Sequence, residues 1–213
     1  MVLTRTEDSM TREPAAATTT GGEVGLRDRK KARTRQEILD SASELFAERG
    51  YENAHTAAIA QRAEVSEATL FRYFPSKADL AVDRQRLASL TIVSAIEARP
   101  VGENPFEAVS AVARSSVGSE FFTEKDRADT EQLLAHPELS ALAFLIILES
   151  AGRLAEDFAR RLGSGASDCE ASVLAHAVLG AVIANIEDWI VRGSSDPQQG
   201  FVDHIEVLRP ILE

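Results

Sequence analysis

The sequence predicts an all-α fold of about nine helices, a small three-helix head followed by a larger helical body. Three observations predict it. Apolar residues recur at three- and four-residue spacing, as in Ile38, Leu39, Ala42, Leu45 and Phe46. Boundary residues punctuate that pattern, with Ser66, Ser76, Asn104-Pro105 and Asp196-Pro197 at starts and Gly50, Gly163 and Gly193 at ends. No stretch shows the two-residue alternation of a strand.

Taken in order, residues 1–26 hold Ala15, Ala16, Ala17, a Thr/Gly run and scattered charges without a helical period, and are expected to be disordered. The first helix is expected from about Arg33 to Gly50, and the second over 56–63. Val65 plugs a tight turn, and Ser66 caps a third helix over 67–73. On that third helix Leu70 and Phe74 form one apolar stripe, opposite Glu67, Ala68, Thr69, Arg72 and Tyr73. Pro75 ends it. Ser76 caps a fourth helix, which Leu80, Leu87, Leu90, Val93 and Ile96 extend as one long element to about Ala98. Asn104 and Pro105 open the fifth, to about Gly118. Helices over 128–135, 138–162, 168–192 and 196–208 complete the count.

Composition sets limits. The 213 residues suffice for one large domain or two small ones. The single Cys169 excludes a disulfide framework or a cysteine metal site, and His55, His136, His176 and His204 form no i,i+4 pair. No metal and no cofactor are expected. The longest purely apolar run, 141–148, falls far short of the ~20 residues of a membrane span, and no signal-peptide block opens the chain. A reduced, cytoplasmic, soluble protein without a membrane partner is expected.

The net charge of −11 disfavours nucleic acid only until its distribution is read. Residues 1–90 hold 14 Lys+Arg and 14 Asp+Glu, whereas 91–213 hold 9 and 20. All the excess acidity belongs to the second part. In the first, Arg27, Arg29, Lys30, Lys31, Arg33 and Arg35 fall within nine residues opposed only by Asp28. That run reads either as a solvated basic tail or as an arm on DNA, toward which an acidic body would orient it. The third helix, short, with a small front end, an arginine and hydroxyls, has the shape for a major groove.

From Ile38 to Leu80 the chain reads ILDSASELFAERGYENAHTAAIAQRAEVSEATLFRYFPSKADL. Helix, Gly-aromatic, Ile-Ala, Val-Ser, Leu-aromatic-x-Tyr-Phe and Lys follow at a spacing that resembles the tetracycline-repressor (TetR) family of bacterial transcription regulators. The resemblance implies a helix-turn-helix DNA-binding domain over 27–80 with its basic arm, and a ligand-binding and dimerisation domain over 81–213. It implies a homodimer on a palindromic double-stranded DNA operator, most simply a repressor released by a small apolar or amphipathic effector, and not an enzyme. By matching position it implies base contacts for Glu67, Ala68, Thr69 and Arg72, and backbone contacts for Phe71, Tyr73 and Lys77, with Thr56 also among the DNA-binding residues. The basic run is implied as a DNA-contacting arm. A phosphate partner would account for an ammonium at a helix start, where Lys77 stands.

Three positions depart from the family pattern. Phe71 replaces a common Tyr, losing a phosphate hydrogen bond. His55 stands where Ser or Thr often caps the second helix, so either Thr56 caps one residue later, the favoured reading, or His55 meets a phosphate. Glu64 replaces a common turn Gly, so a left-handed residue is not expected there.

In the body, small residues from Ala171 to Ala184, Gly180 among them, interleave with Val173, Leu174, Val178, Leu179, Val182 and Ile183. With Phe201, Val202, Ile205 and Leu208 they resemble the family's four-helix dimer interface; packing within one subunit is the competing reading. The helix over 138–162 is apolar all round at 142–148 and is expected to be buried all round, beside a mostly apolar cavity. Glu149, Arg153, Asn185 and Trp189 are the candidate polar lining. The run His136-Pro137-Glu138-Leu139-Ser140 resembles a subset of the family linked with acyl-CoA-like ligands. A ligand-independent architectural DNA binder and a helical enzyme remain the rival classes.

Overall fold

The computed structural model describes residues 25–115, 117, 119–163 and 167–212. The expected disordered extension lies outside the described residues, apart from Gly25 and Leu26. Among the described residues the fold is all-helical, as the periodicity requires, with α1 Leu26–Asn53, α2 Thr56–Arg62, α3 Glu67–Tyr73, α4 Lys77–Ala81, α5 Asp83–Glu97, α6 Pro105–Ala113, α7 Glu124–Leu134, α8 Pro137–Leu162, α9 Asp168–Ile190, α10 Pro197–Val207 and α11 Arg209–Leu212.

Several boundaries differ from expectation for local reasons. α1 starts at Leu26, because the basic run is built of good helix formers with Asp28 in the first turn. Gly50, at φ 75°, breaks α1 before a last turn through Tyr51. The fourth helix is two: Val82, at φ −97° and ψ 6°, interrupts it, and α5 restarts at once with Arg86 N–H on the Val82 carbonyl at 3.0 Å. α7 begins earlier than expected because Thr123 and Asp126 form a reciprocal capping box. Asn104 and Glu107 form another at α6, as the Asn-Pro start implied.

Two apolar cores hold these helices. Ile38, Leu45, Ile59, Leu70 and Phe74 centre the head, and Leu133, Leu139 and Ile146 of the body join the same cluster. Ile96, Val109, Leu154, Phe158, Val178 and Ile205 centre the body. α8 therefore belongs to both. Burying each large aliphatic side chain contributes on the order of 1.5–3 kcal/mol.

A charged lock closes the lower end of α5. Arg161, whose side chain is fully buried, donates to Asp157 Oδ2 at 2.6 Å and to the carbonyls of Ile96 and Pro100 at 2.9 and 2.7 Å. A buried cation next to the carbonyls of a helix C-terminus is favourably placed.

α8 is not buried all round, contrary to its composition: Leu145 is 59% exposed, with Phe144 and Leu148 also open. α9 has the length and mean hydropathy, 1.6, to cross a membrane on composition alone, although it holds no long contiguous apolar run. Leu174, Ala175, Val178 and Leu179 instead pack into the body core, so its apolarity has a packing explanation.

Candidate nucleic-acid interface and effector cavity

α3 is set by its own cap. Ser66 Oγ accepts from Thr69 N–H at 3.1 Å and donates to Thr69 Oγ1 at 2.9 Å. Leu70, fully buried, pins the helix to α1 and α2. Glu67, Ala68, Phe71 and Arg72 remain exposed, Thr69 and Tyr73 half-buried. Phe71, 43% exposed, is not a core residue. Arg72 lies over the Tyr73 ring, 5.5 Å from its centroid, which orients the guanidinium without consuming its hydrogen bonds.

The turn before α3 overturns one expectation. Glu64 has φ 54°, in the left-handed region. Val65 N–H bonds the Ala60 carbonyl at 2.9 Å and Glu64 N–H the Gln61 carbonyl at 3.2 Å. These two bonds make a Schellman motif, whose residue after the C-cap must be left-handed whatever its side chain.

The cap of α2 corrects a second. His55 occupies the N-cap position without a side-chain bond, and Thr56 is the first helical residue. Thr56 Oγ1 donates to Glu67 Oε1 at 2.9 Å, tying the front ends of α2 and α3 together. Beside it, Arg62 holds Glu48 with two bonds, at 2.7 and 2.9 Å, anchoring α2 on α1.

Lys77 has partners inside the protein. Its Nζ donates to the Glu52 carbonyl at 3.3 Å and sits 4.2 Å from the Tyr51 ring centroid. The carbonyls left open where Gly50 breaks α1 thus explain a lysine at a helix start without invoking a phosphate. Tyr51 also meets the His136 ring at 5.2 Å; burial, then Glu138 and Glu52, push its phenol pKa up.

The basic run divides. Arg27, Arg29, Lys30 and Lys31 are exposed on the free first turns of α1, a helical projection rather than a loose arm. Arg33 pairs with Glu37 at 3.3 Å. Arg35 does not join them. It is ion-paired with Asp83, a buried residue, and lies over the Phe74 ring at 4.9 Å.

In the body, α5, α7, α8 and α9 enclose a cavity of about 350 Å³, within the usual range of ~300–1,000 Å³ for small-molecule sites. Phe121, Phe122, Phe144, Leu179, Ile183 and Trp189 give it an apolar, aromatic wall. Phe122 meets Trp189 edge-on at 5.5 Å. Asn185 lines it too, held by Nδ2 on the Pro197 carbonyl at 3.0 Å. Of the expected polar lining, Asn185 and Trp189 are therefore brought together. Glu149 and Arg153 are not: Glu149 is exposed 3.7 Å from Arg86, and Arg153 is paired with Glu97.

Sequence reading missed a polar pair in the lining of this cavity. Arg84 Nε donates to Asp126 Oδ1 at 2.5 Å, and the guanidinium stacks 4.6 Å from the Phe121 centroid. Burial pushes the Asp126 carboxyl up, but the Arg84 and Thr123 hydrogen bonds outweigh it and hold the pKa below the usual value. The Thr123-x-x-Asp126 spacing was the readable signal.

The dimer residues also sort differently. Phe201 and Ile205 lie in the subunit's own core. The open face of α9 carries Val173, Gly180 and Ile183, and Val207 of α10 is exposed as well.

Known proteins bear on this arrangement. Residues 38–83 match the bacterial regulatory proteins of the tetR family, and residues 103–213 match the MftR C-terminal domain. The HTH-type transcriptional regulator TcmR of Streptomyces glaucescens is 32% identical over 97% of this chain and 96% of its own. The HTH-type transcriptional repressor KstR of Rhodococcus jostii (strain RHA1) is 27% identical over 89% and 88%. Among solved structures, a TetR-like transcriptional regulator from Rhodococcus sp. RHA1 is similar at a TM-score of 0.50 and 26% identity, covering 83% of this chain and 93% of that one. Thermus thermophilus FadR, a TetR-family repressor in complex with lauroyl-CoA, shares the fold at a TM-score of 0.55 and 21% identity, over 84% and 93%.

Proposed function

The chain belongs to the TetR family of bacterial regulatory proteins, and from that premise we propose a homodimeric repressor whose two α3 helices read successive major grooves of a palindromic operator. A ligand-responsive DNA-binding regulator is what the family relationship gives. The carrying observation for the reading surface is α3 itself: Leu70 is fully buried while Ala68, Phe71 and Arg72 on the same seven-residue helix face solvent.

Arg72 reads base edges, and Ala68 lets the backbone approach them. Phe71 and Tyr73 meet the sugar-phosphate backbone by apolar contact and hydroxyl. Arg27, Arg29, Lys30 and Lys31 supply sequence-independent attraction. The dimer forms through the open α9–α10 face, where Gly180 has no heavy atom within 4 Å of the place its Cβ would occupy, leaving room for a partner helix.

The effector enters the aromatic cavity. An uncharged, largely apolar molecule with a ring suits the Phe122–Trp189 corner. The acyl-CoA alternative fits less well, because the guanidinium in the cavity wall, Arg84, is already neutralised by Asp126 and a multiply anionic head group needs free cations. Ligand acts by preferring the state in which the heads are misplaced for DNA.

A gel-shift titration on the DNA flanking the protein's own gene tests this reading. A specific complex that disappears when native mass spectrometry shows a bound apolar molecule supports it. Equal shifts of all fragments would instead favour the architectural reading.

A further inference from the structure

Two polar groups deep in the wall of the aromatic cavity have no partner. Asn185 and Trp189 stand four residues apart on α9, one turn from each other on a single face. Both line the cavity, and both are deeply buried, at 2% and 5% exposed. Asn185 Nδ2 is spent on the Pro197 carbonyl, so Oδ1 is the end left to accept. Among the described residues no donor reaches that oxygen, and the indole N–H of Trp189 reaches no nitrogen or oxygen acceptor. Neither atom is sealed in. The partnerless side-chain atoms that are closed to solvent are oxygens of Ser43, Gln85 and Gln198. A buried donor or acceptor is costly until something pairs with it, and the space that Asn185 and Trp189 share is the cavity.

The rest of the polar wall is committed or less deep. Arg84 and Asp126 hold each other, as do Ser89 and Ser150. Ser140 Oγ donates to the Leu134 carbonyl at 3.2 Å. Gln85 and Thr130 are only half-buried. The deep wall therefore offers an arriving molecule one acceptor and one donor, set among carbon.

We propose, on the reading of this cavity as the effector site, that the effector is a hydroxyarene: an uncharged aromatic ring system whose hydroxyl accepts from Trp189 Nε1–H and donates to Asn185 Oδ1. A hydroxyl does both with one oxygen. The ring follows from the wall, where Phe121, Phe122, Phe144 and Trp189 supply aromatic surface. A ketone satisfies Trp189 alone, and an ammonium satisfies Asn185 alone. A carboxylate brings a charge that Arg84, held by Asp126, does not answer, and only acceptors where Asn185 needs a donor. Asn185 and Trp189 are thus the residues that set effector specificity.

Isothermal titration of the full chain with 2-naphthol, naphthalene and 2-naphthoate tests this. 2-Naphthol binds at least ~10-fold more tightly than naphthalene, the gain of two hydrogen bonds, and more tightly than 2-naphthoate. Trp189→Phe keeps an aromatic ring and removes the N–H, and it narrows the ratio of 2-naphthol to naphthalene affinity ~3- to 10-fold. The unsubstituted protein supplies a second readout. Trp189 is its single tryptophan, so the indole N–H gives one nuclear magnetic resonance signal, and 2-naphthol moves that signal downfield of its position in the naphthalene complex. Equal affinity for 2-naphthol and naphthalene, a ratio that Trp189→Phe leaves intact, an indole signal at the same position in both complexes, or tighter binding of 2-naphthoate would each overturn the hydroxyl assignment while leaving the cavity as an effector site. Binding of none of the three would overturn both.

Discussion

Arg35 and Asp83, 48 residues apart in sequence, form an ion pair that fastens α1 of the head to the first residue of α5. The next residue, Arg84, is hydrogen-bonded to Asp126 in the wall of the aromatic cavity. Adjacent residues at the Val82 break thus hold the head on one side and the cavity wall on the other. The two contacts meet at one peptide unit, between Asp83 and Arg84.

The pair is therefore expected to matter for stability as well as for response. Asp83→Asn removes the charge of a buried carboxylate and costs ~1–3 kcal/mol of unfolding free energy, read by urea titration. Combined with Arg35→Ala, the losses are non-additive by at least ~0.5 kcal/mol. Simple additivity would show that the two side chains do not interact in solution.

Base reading and charge attraction separate by substitution. Arg72→Ala lowers affinity for the operator by ~1–3 kcal/mol and leaves random-sequence binding nearly unchanged. Changing Arg27, Arg29, Lys30 and Lys31 to Ala weakens both DNAs alike and flattens the salt dependence by up to ~4 in slope. An unchanged slope would remove the α1 projection from the interface.

Glu64→Gly tests the turn. A left-handed non-glycine residue costs roughly 1–2 kcal/mol, part of which the flexibility of glycine in the unfolded chain offsets. A net gain of about 0.5–1 kcal/mol is expected in chemical denaturation. Destabilisation would mean that the Glu64 side chain contributes something beyond this backbone geometry.

Gly200 has a steric reason to be glycine. A Cβ there would stand 2.6 Å from Asn185 Oδ1, and Asn185 is itself fixed on Pro197. Gly200→Ala is expected to cost ~1–3 kcal/mol through overpacking and to disturb the cavity wall at Asn185. A melting temperature at or above the parent's would show that Asn185 moves aside freely.

The two neighbouring aspartates of α7 have opposite pH signatures. Asp126, with its pKa held below the usual 3.8, contributes stability that is present above that value and lost as pH falls through its folded pKa. Asp129, raised above 3.8 by burial, binds its proton more tightly folded than unfolded. Its favourable contribution is full below 3.8 and lost as pH rises through the folded pKa. Asp129→Asn therefore raises the melting temperature at neutral pH, whereas Asp126→Asn lowers it. Thermal scans across the acidic range that show the same sign for both would contradict this assignment.

What was legible in the sequence was local. Ser66, Ser76 and Asn104 could be read as caps because a cap needs only the next three residues, and Leu70 and Phe74 as core because one stripe decides it. What was not legible depended on distant partners. Arg35 gains its ion-pair partner only where Asp83 packs beside it, and Lys77 its carbonyl only where Gly50 breaks α1. The exposure of Phe144 and Leu145 was hidden because composition cannot tell a buried apolar helix from one with a face left for a cavity or another chain. Glu64 was misread because a Schellman turn is set by backbone bonds and tolerates a residue its side chain would not choose.

α3, through Arg72, is expected to select one DNA sequence. Fluorescence anisotropy over tiled fragments from the DNA flanking the protein's own gene, at fixed salt, tests it most directly. The expected result is one fragment bound at least ~10³-fold more tightly than the rest, with most of that preference lost in Arg72→Ala. Uniform affinity across the fragments, or a preference that Arg72→Ala leaves intact, would contradict it.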